Sequence, residues 1–165
     1  LFYLQQGKKV YDFNIVNNMK KIVVTSGYFN PLHKGHVRLM QEAKKLGDVL
    51  VVIVNNDEQV KIKGSVPFMT EQERLEIIKG LKYPDQVFLS VDKDETVAKS
   101  LQEVCKLYTG KVFFAKGGDR NINNLPESER KVCKEFGIEI VNNVGGEKIQ
   151  SSSWLLKNVA EVKKS

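Results

Sequence analysis

The sequence predicts an α/β fold: a doubly wound parallel sheet of about five strands with helices on both faces. Three observations predict it. Short β-branched runs alternate with stretches of helical period from Lys20 onward. Val49-Leu50-Val51-Val52-Ile53-Val54 is an unbroken apolar run, the pattern of a strand covered on both faces of a parallel sheet. Glycine-bearing turns follow the strands, where such sheets place their ligands.

Taken in order, Ile22–Thr25 reads as strand one and Val37–Leu46 as helix one, with Gly47 as its C-terminal cap. Val49–Val54 is strand two. A long loop carrying Lys61-Ile62-Lys63-Gly64 leads to Thr70-Glu71-Gln72-Glu73, a capping box that starts a helix reaching about Lys79. Gln86–Val91 is strand three. Val97, Leu101, Val104 and Leu107 mark the apolar face of a helix over Glu95–Leu107. Val112–Ala115 is strand four, and Pro126 sits in the first turn of a helix that runs to Phe136 and ends at Gly137. Ile138–Val141 is strand five. Val144-Gly145-Gly146 then leads through Ser151-Ser152-Ser153 to a last helix from Trp154 to about Val162.

At 165 residues the chain has the length of one domain. Residues 1–18 hold Leu1, Phe2, Tyr3, Leu4, Tyr11 and Phe13 without a sustained period, and read as an N-terminal extension of unknown role before a domain over 19–165. The formal charge of +6 does not describe a nucleic-acid surface. Lys8, Lys9, Lys20 and Lys21 against Asp12 put +3 in the first 21 residues. Lys157, Lys163 and Lys164 against Glu161 put +2 in the last nine, leaving +1 for the body. No apolar run approaches the roughly 18 residues of a membrane span. Cys105 and Cys133 have no paired spacing, and no signal-peptide pattern is visible, so a cytoplasmic location is expected. Neither nucleic acid nor a membrane is an expected partner.

The chemistry concentrates in Thr25-Ser26-Gly27-Tyr28-Phe29-Asn30-Pro31-Leu32-His33-Lys34-Gly35-His36, where strand one turns into helix one. A helix start presents unpaired N–H groups and partial positive charge, which attract phosphate. Two imidazoles one turn apart add donors aimed at the same place. A metal pair is the competing reading, but zinc needs a third protein ligand, and the two cysteines lie far off. No metal site in the chain is predicted. The site reads as one for a nucleoside triphosphate.

Gly27-Tyr28-Phe29-Asn30-Pro31-Leu32-His33-Lys34-Gly35-His36 resembles the signature of the cytidylyltransferase-like nucleotidyltransferases, and further stretches fit in order over residues 20–160. The resemblance implies a Rossmann-like domain in which a phosphate monoester attacks the α-phosphorus of ATP or CTP and expels pyrophosphate. Mg²⁺ would arrive with the nucleotide. It implies that His33 and His36 hold the triphosphate as catalytic donors, with Ser26, Gly27, Tyr28, Phe29 and Gly35 forming the turn against which the nucleotide lies. Lys63, with Lys61 the weaker candidate, would meet substrate phosphates. Arg74 matches a family arginine that binds substrate, or makes a helix-surface salt bridge.

Lys116-Gly117-Gly118-Asp119-Arg120 leaves strand four and is similar to the same stretch in heptose 1-phosphate adenylyltransferases, as is Asn55-Asn56-Asp57 after strand two. Lys116, Gly118 and Asp119 are thereby nucleotide-binding candidates, with a plain glycine turn capped by Asp119 as the alternative. Ser151, Ser152 and Ser153 match a family motif that binds the β- and γ-phosphates; a simple helix cap would need only one serine. Trp154 is expected to pack behind this turn rather than stack on a base.

Departures shape the substrate reading. Cytidylyltransferases for glycerol 3-phosphate or choline phosphate carry Arg-Thr-Glu-Gly where this chain has Gly146-Glu147-Lys148-Ile149, and Asp where it has Asn30. Mononucleotide adenylyltransferases share Phe-Asn-Pro but carry an arginine absent from Ser151–Leu156. The sugar-phosphate adenylyltransferase branch fits best, with Gln150-Ser151-Ser152-Ser153 in place of its Ser-Thr-Thr. The acceptor favoured is a sugar phosphate such as heptose 1-phosphate. A cytidylyltransferase for glycerol 3-phosphate or an amino-alcohol phosphate is one alternative. A non-catalytic nucleotide-binding module is another. A homodimer is implied by resemblance alone.

Overall fold

The computed structural model describes residues 20–118 and 124–162. The extension over residues 1–18 and the candidate Asp119 therefore lie outside the described residues.

Five strands form one parallel sheet: β1 (Lys21–Gly27), β2 (Val49–Val54), β3 (Gln86–Leu89), β4 (Lys111–Gly117) and β5 (Glu139–Val144), in the spatial order β3-β2-β1-β4-β5. The strand order reverses between β1 and β4, which pair from Lys21↔Lys111 to Val24↔Phe114. That reversal opens the crevice in which such sheets hold ligands. The helices are α1 (Lys34–Lys44), α2 (Asp57–Ile62), α3 (Glu71–Gly80), α4 (Ala98–Leu107), α5 (Glu127–Glu135) and α6 (Ser152–Val162).

Alternation along the buried strands sends side chains to two cores. Ile22, Val24, Val51, Ile53 and Phe114 pack with Leu101 and Val104 of α4 and Val132 of α5. Val23, Leu50, Val52 and Ala115 pack with Met40 and Ala43 of α1 and Ile78 of α3. The expected coverage of both faces is present. None of the described helices is long and apolar enough to cross a membrane.

Several expectations change: β3 ends at Leu89 rather than Val91, α4 starts at Ala98 rather than Glu95, and α6 starts at Ser152 rather than Trp154. The segment expected to be loop after β2 contains α2, because Asn56 and Gln59 form a reciprocal cap: Asn56 Oδ1 accepts the Gln59 N–H at 2.9 Å and Gln59 Oε1 accepts the Asn56 N–H at 3.1 Å. Helix α1 starts at Lys34 rather than Val37, for reasons that belong to the site. Gly47 is not a left-handed cap. A Cβ there would lie 2.6 Å from the Lys21 carbonyl oxygen, so the residue is small to let the chain pass close to β1. By contrast Gly137, at φ +65°, closes α5 as expected.

Candidate functional site

A cleft of about 910 Å³ opens at the carboxyl ends of the strands. Its lining includes Thr25, Ser26, Gly27 and Tyr28 after β1, His33, Gly35 and His36, Lys63 after α2, Lys116 and Gly118 after β4, and Ser151, Ser152 and Ser153 at α6.

The histidines build their own helix start. His33 is the N-cap of α1, and its Nδ1 accepts the Gly35 N–H at 3.1 Å. His36, at the third helical position, accepts the His33 N–H on Nδ1 at 3.3 Å. This is a capping box written with two imidazoles instead of a hydroxyl and a carboxylate. The rings stack with centroids 3.7 Å apart, and His36 meets the edge of Phe29 at 4.9 Å. A ring whose Nδ1 accepts carries its proton on Nε2 when neutral. Burial, His33 and Lys63 hold His36 down to a pKa of about 3, and burial and Lys148 lower His33. At neutral pH the pair is two neutral rings with Nε2–H donors at a helix start that has no acidic side chain in its first turn.

The turn that presents them is tight. Phe29 has φ 51°, an uncommon left-handed conformation for a bulky residue, and its ring is fully buried. A Cβ at Gly27 would lie 2.8 Å from the Phe29 ring, and one at Gly35 would lie 3.0 Å from His33 Cε1. Both glycines are needed because aromatic rings occupy the space beside them. Asn30 donates to Val66 O at 2.9 Å and accepts from Phe68 N at 2.6 Å, tying the segment after α2 to the histidine turn. An aspartate there would lack the donor.

Lys63, the C-cap of α2, places its ammonium 4.2 Å from the Tyr28 ring centroid. Lys61 is exposed on α2 and does not line the cleft. Arg74 does not line it either, so the structure places it neither as a substrate ligand nor as a helix-surface ion pair. It is 1% exposed and donates to the carbonyls of Met69, Tyr28 and Asn55 at 3.1, 2.7 and 2.6 Å, and to Asp57 Oδ1 at 2.6 Å. Its partners lie up to 46 residues away, which no local pattern foretells. Phe29 likewise serves the site from beneath rather than from the cleft wall.

Lys116 lines the cleft but is buried, 3.2 Å from Glu129 of α5. The three serines have separate positions. Ser151 Oγ caps the Trp154 N–H at 3.2 Å, Ser152 Oγ donates to Pro31 O at 2.9 Å, and Ser153 Oγ lies 3.0 Å from Ser151 Oγ. Trp154 is 46% exposed, so it does not pack behind the turn; Lys148 lies 5.2 Å from its ring centroid.

Sequence reasoning missed Thr25, whose Oγ1 is buried in the cleft floor without a hydrogen-bond partner among the described residues. It also missed Glu95 and Glu129 in the cleft wall; an isolated glutamate in a helical stretch carries no local signal. Among the described residues no group of three or more His, Cys, Asp or Glu is arranged to hold a metal ion.

The profile described as cytidylyltransferase-like matches residues 24–154. The chain is 35% identical over 137 residues to the bifunctional protein HldE of Desulfatibacillum aliphaticivorans, covering 81% of this chain and 24% of that protein. It is 29% identical over 149 residues to the FAD synthase of Pyrococcus abyssi, covering 90% of this chain and 98% of that one. The chain thus spans about a quarter of one relative and almost all of the other. A crystal structure of a lipopolysaccharide core biosynthesis protein from Thermoplasma volcanium superimposes with a TM-score of 0.61 at 31% identity, over 75% of this chain and 96% of that one. The chain is a member of the cytidylyltransferase-like family of nucleotidyltransferases and has the Rossmann-like fold.

Proposed function

We propose that the chain transfers a nucleoside monophosphate, AMP from ATP in the favoured case, to a phosphate monoester. An oxygen of the acceptor phosphate attacks the α-phosphorus, the bond from that phosphorus to the bridging oxygen of pyrophosphate breaks, and pyrophosphate leaves with the electron pair. The acceptor dianion is already a nucleophile near neutral pH, so the step needs positioning and charge neutralisation more than a base.

The observation that carries the reading is the pair of mutually capped imidazoles. Both residues line the cleft that also holds Lys63, and each ring keeps its Nε2–H as a donor. Fixed donors of this kind stabilise charge as it develops, without reorganising during the reaction. Ser26, Gly27, Tyr28, Gly35, Gly118, Ser151, Ser152 and Ser153 surround the same space and would bind the nucleotide, with Lys63 the cation nearest the acceptor phosphate. Among the described residues no group of three or more His, Cys, Asp or Glu is arranged to hold a metal ion, so Mg²⁺ would be held chiefly by the triphosphate oxygens. It would neutralise phosphate charge there.

A sugar phosphate such as heptose 1-phosphate is the favoured acceptor, supported by Lys116-Gly117-Gly118 and by the match to the HldE proteins. FMN is the second reading, supported by the near full-length match to an FAD synthase. The test is pyrophosphate release across the four nucleoside triphosphates with heptose 1-phosphate, FMN, glycerol 3-phosphate and phosphocholine. Release with ATP and one acceptor is expected. Nucleotide binding without release from any combination would make the chain a binding module instead.

A further inference from the structure

The cleft is lined from both faces of the sheet, which gives it two sides, or arms. The first runs beneath His33 and His36 of α1 toward α6. The second lies on the face covered by α4 and α5, between Lys63, Glu95, Lys116, Asn124 and Glu129. Lys116 and Glu129 form its base, each side chain 5% exposed, with the ammonium 3.9 Å from the Phe114 ring centroid. Glu129 Oε1 accepts the Val97 N–H at 3.1 Å, and Oε2 faces Lys116 at 3.2 Å.

Burying two charges costs several kcal/mol per ion before they are paired, and a packed apolar pair is often as stable. A charge pair kept at a cleft wall therefore points to work done in the cleft. The donors of the helix start and the serines suit the triphosphate, so the arm with the buried carboxylate suits the part of the acceptor that carries no phosphate. A carboxylate offers about four lone-pair positions. The bonds to Val97 and Lys116 occupy one on each oxygen, and hydroxyl groups are the donors that match the remainder.

We propose that Glu129, braced by Lys116, selects phosphate monoesters whose body bears hydroxyl groups. The inference rests on the nucleotidyl-transfer reading. Lys63 at the mouth of the arm meets the acceptor phosphate, the hydroxylated body extends inward to Glu129, and Glu95 stands at the exposed rim. Glu129 is thereby a specificity-determining residue, and Lys116 positions it.

The test is calorimetric binding of mannose 1-phosphate, methyl phosphate and FMN to the full chain saturated with α,β-methylene-ATP. Glu129→Gln keeps an acceptor for the Val97 N–H and removes the charge, while Glu129→Asp keeps the charge and withdraws it by one methylene. Wild type is expected to prefer mannose 1-phosphate over methyl phosphate by about tenfold or more, the scale of hydrogen bonds to a charged group. Both variants should erase that preference while leaving methyl phosphate and nucleotide affinity unchanged. The proposal is overturned if wild type shows no such preference, or if the variants weaken all three probes equally. Pyrophosphate release measured in parallel separates the two ideas. A wild type that selects mannose 1-phosphate but never releases pyrophosphate removes the reaction and keeps the subsite. Release with unchanged selection in the variants removes the subsite and keeps the reaction.

Discussion

The guanidinium of Arg74 donates to the carbonyl of Tyr28 across 46 residues, at 2.7 Å, from a fully buried position on α3. The same group holds Asn55 at the end of β2 and Asp57 at the start of α2. Arg74 thus fastens the histidine turn to the helix that carries Lys63. Arg74→Lys should lower both thermal stability and turnover, because an ammonium cannot match a planar fork of donors to acceptors on several segments. Arg74→Met leaves Asp57 and three carbonyls without their partner, at a cost of about 3–5 kcal/mol. Denaturant unfolding measures it; a change below about 1 kcal/mol would contradict the hub role.

Removing one charge-stabilising donor from a preorganised site typically costs about 10²–10³-fold in turnover. His36→Ala is expected to show a loss of at least that size, because it also removes the acceptor for the His33 N–H. Pyrophosphate release is the measurement, with far-ultraviolet circular dichroism to verify the fold. Retained activity would take His36 out of the mechanism.

The acid sensitivity of the fold follows from the same residue. In the unfolded chain His36 takes up a proton near its ordinary pKa of 6.5, whereas the folded protein resists until about 3. Between those values the unfolded state binds more protons, so stability rises with pH and is lost as pH falls from 6.5 toward 3. His36→Gln should flatten this part of the stability profile, read as melting temperature against pH. An unchanged profile would show that other groups set it.

A Cβ on Gly35 would press on the His33 ring at 3.0 and 3.1 Å. Gly35→Ala places a better helix former in α1, yet it displaces the imidazole that caps it. Turnover is therefore expected to fall by tenfold or more, in line with catalytic groups moved by about an ångström. The melting temperature should change little. Equal losses in both would mean that the glycine serves the fold alone.

The contact between Lys63 and the Tyr28 ring is a cation–π pair at the cleft. Tyr28→Phe keeps the π face, and Tyr28→Ala removes it. The alanine variant is expected to raise the acceptor KM by about two- to fivefold, the equivalent of about 0.5–1 kcal/mol. The phenylalanine variant should stay within twofold. Identical behaviour of the two would show that the ring does not hold the lysine.

Alternating strands and helices, the apolar run Val49–Val54 and the capping box at Thr70 were enough to determine the parallel sheet and its two covered faces. These signals are short-ranged: period, propensity and capping act within a few residues of themselves. The histidine turn was legible for the same reason, since strand, glycines, histidines and helix start are contiguous. The reciprocal cap of α2 was written in Asn56 and Gln59, but it sits inside a stretch that otherwise reads as loop.

Tertiary structure alone decided what the charged residues do. The sequence reads Arg74 as a substrate-binding arginine or a helix-surface ion pair and Lys116 as a nucleotide-binding residue, and packing buries both against partners on other segments. It also decided the histidine chemistry. Sequence placed two imidazoles one turn apart, and only the fold turned each Nδ1 toward a backbone N–H so that each Nε2–H is left as the donor. A buried ionisable group takes its protonation and its role from its surroundings, and those are assembled from residues that no local pattern links.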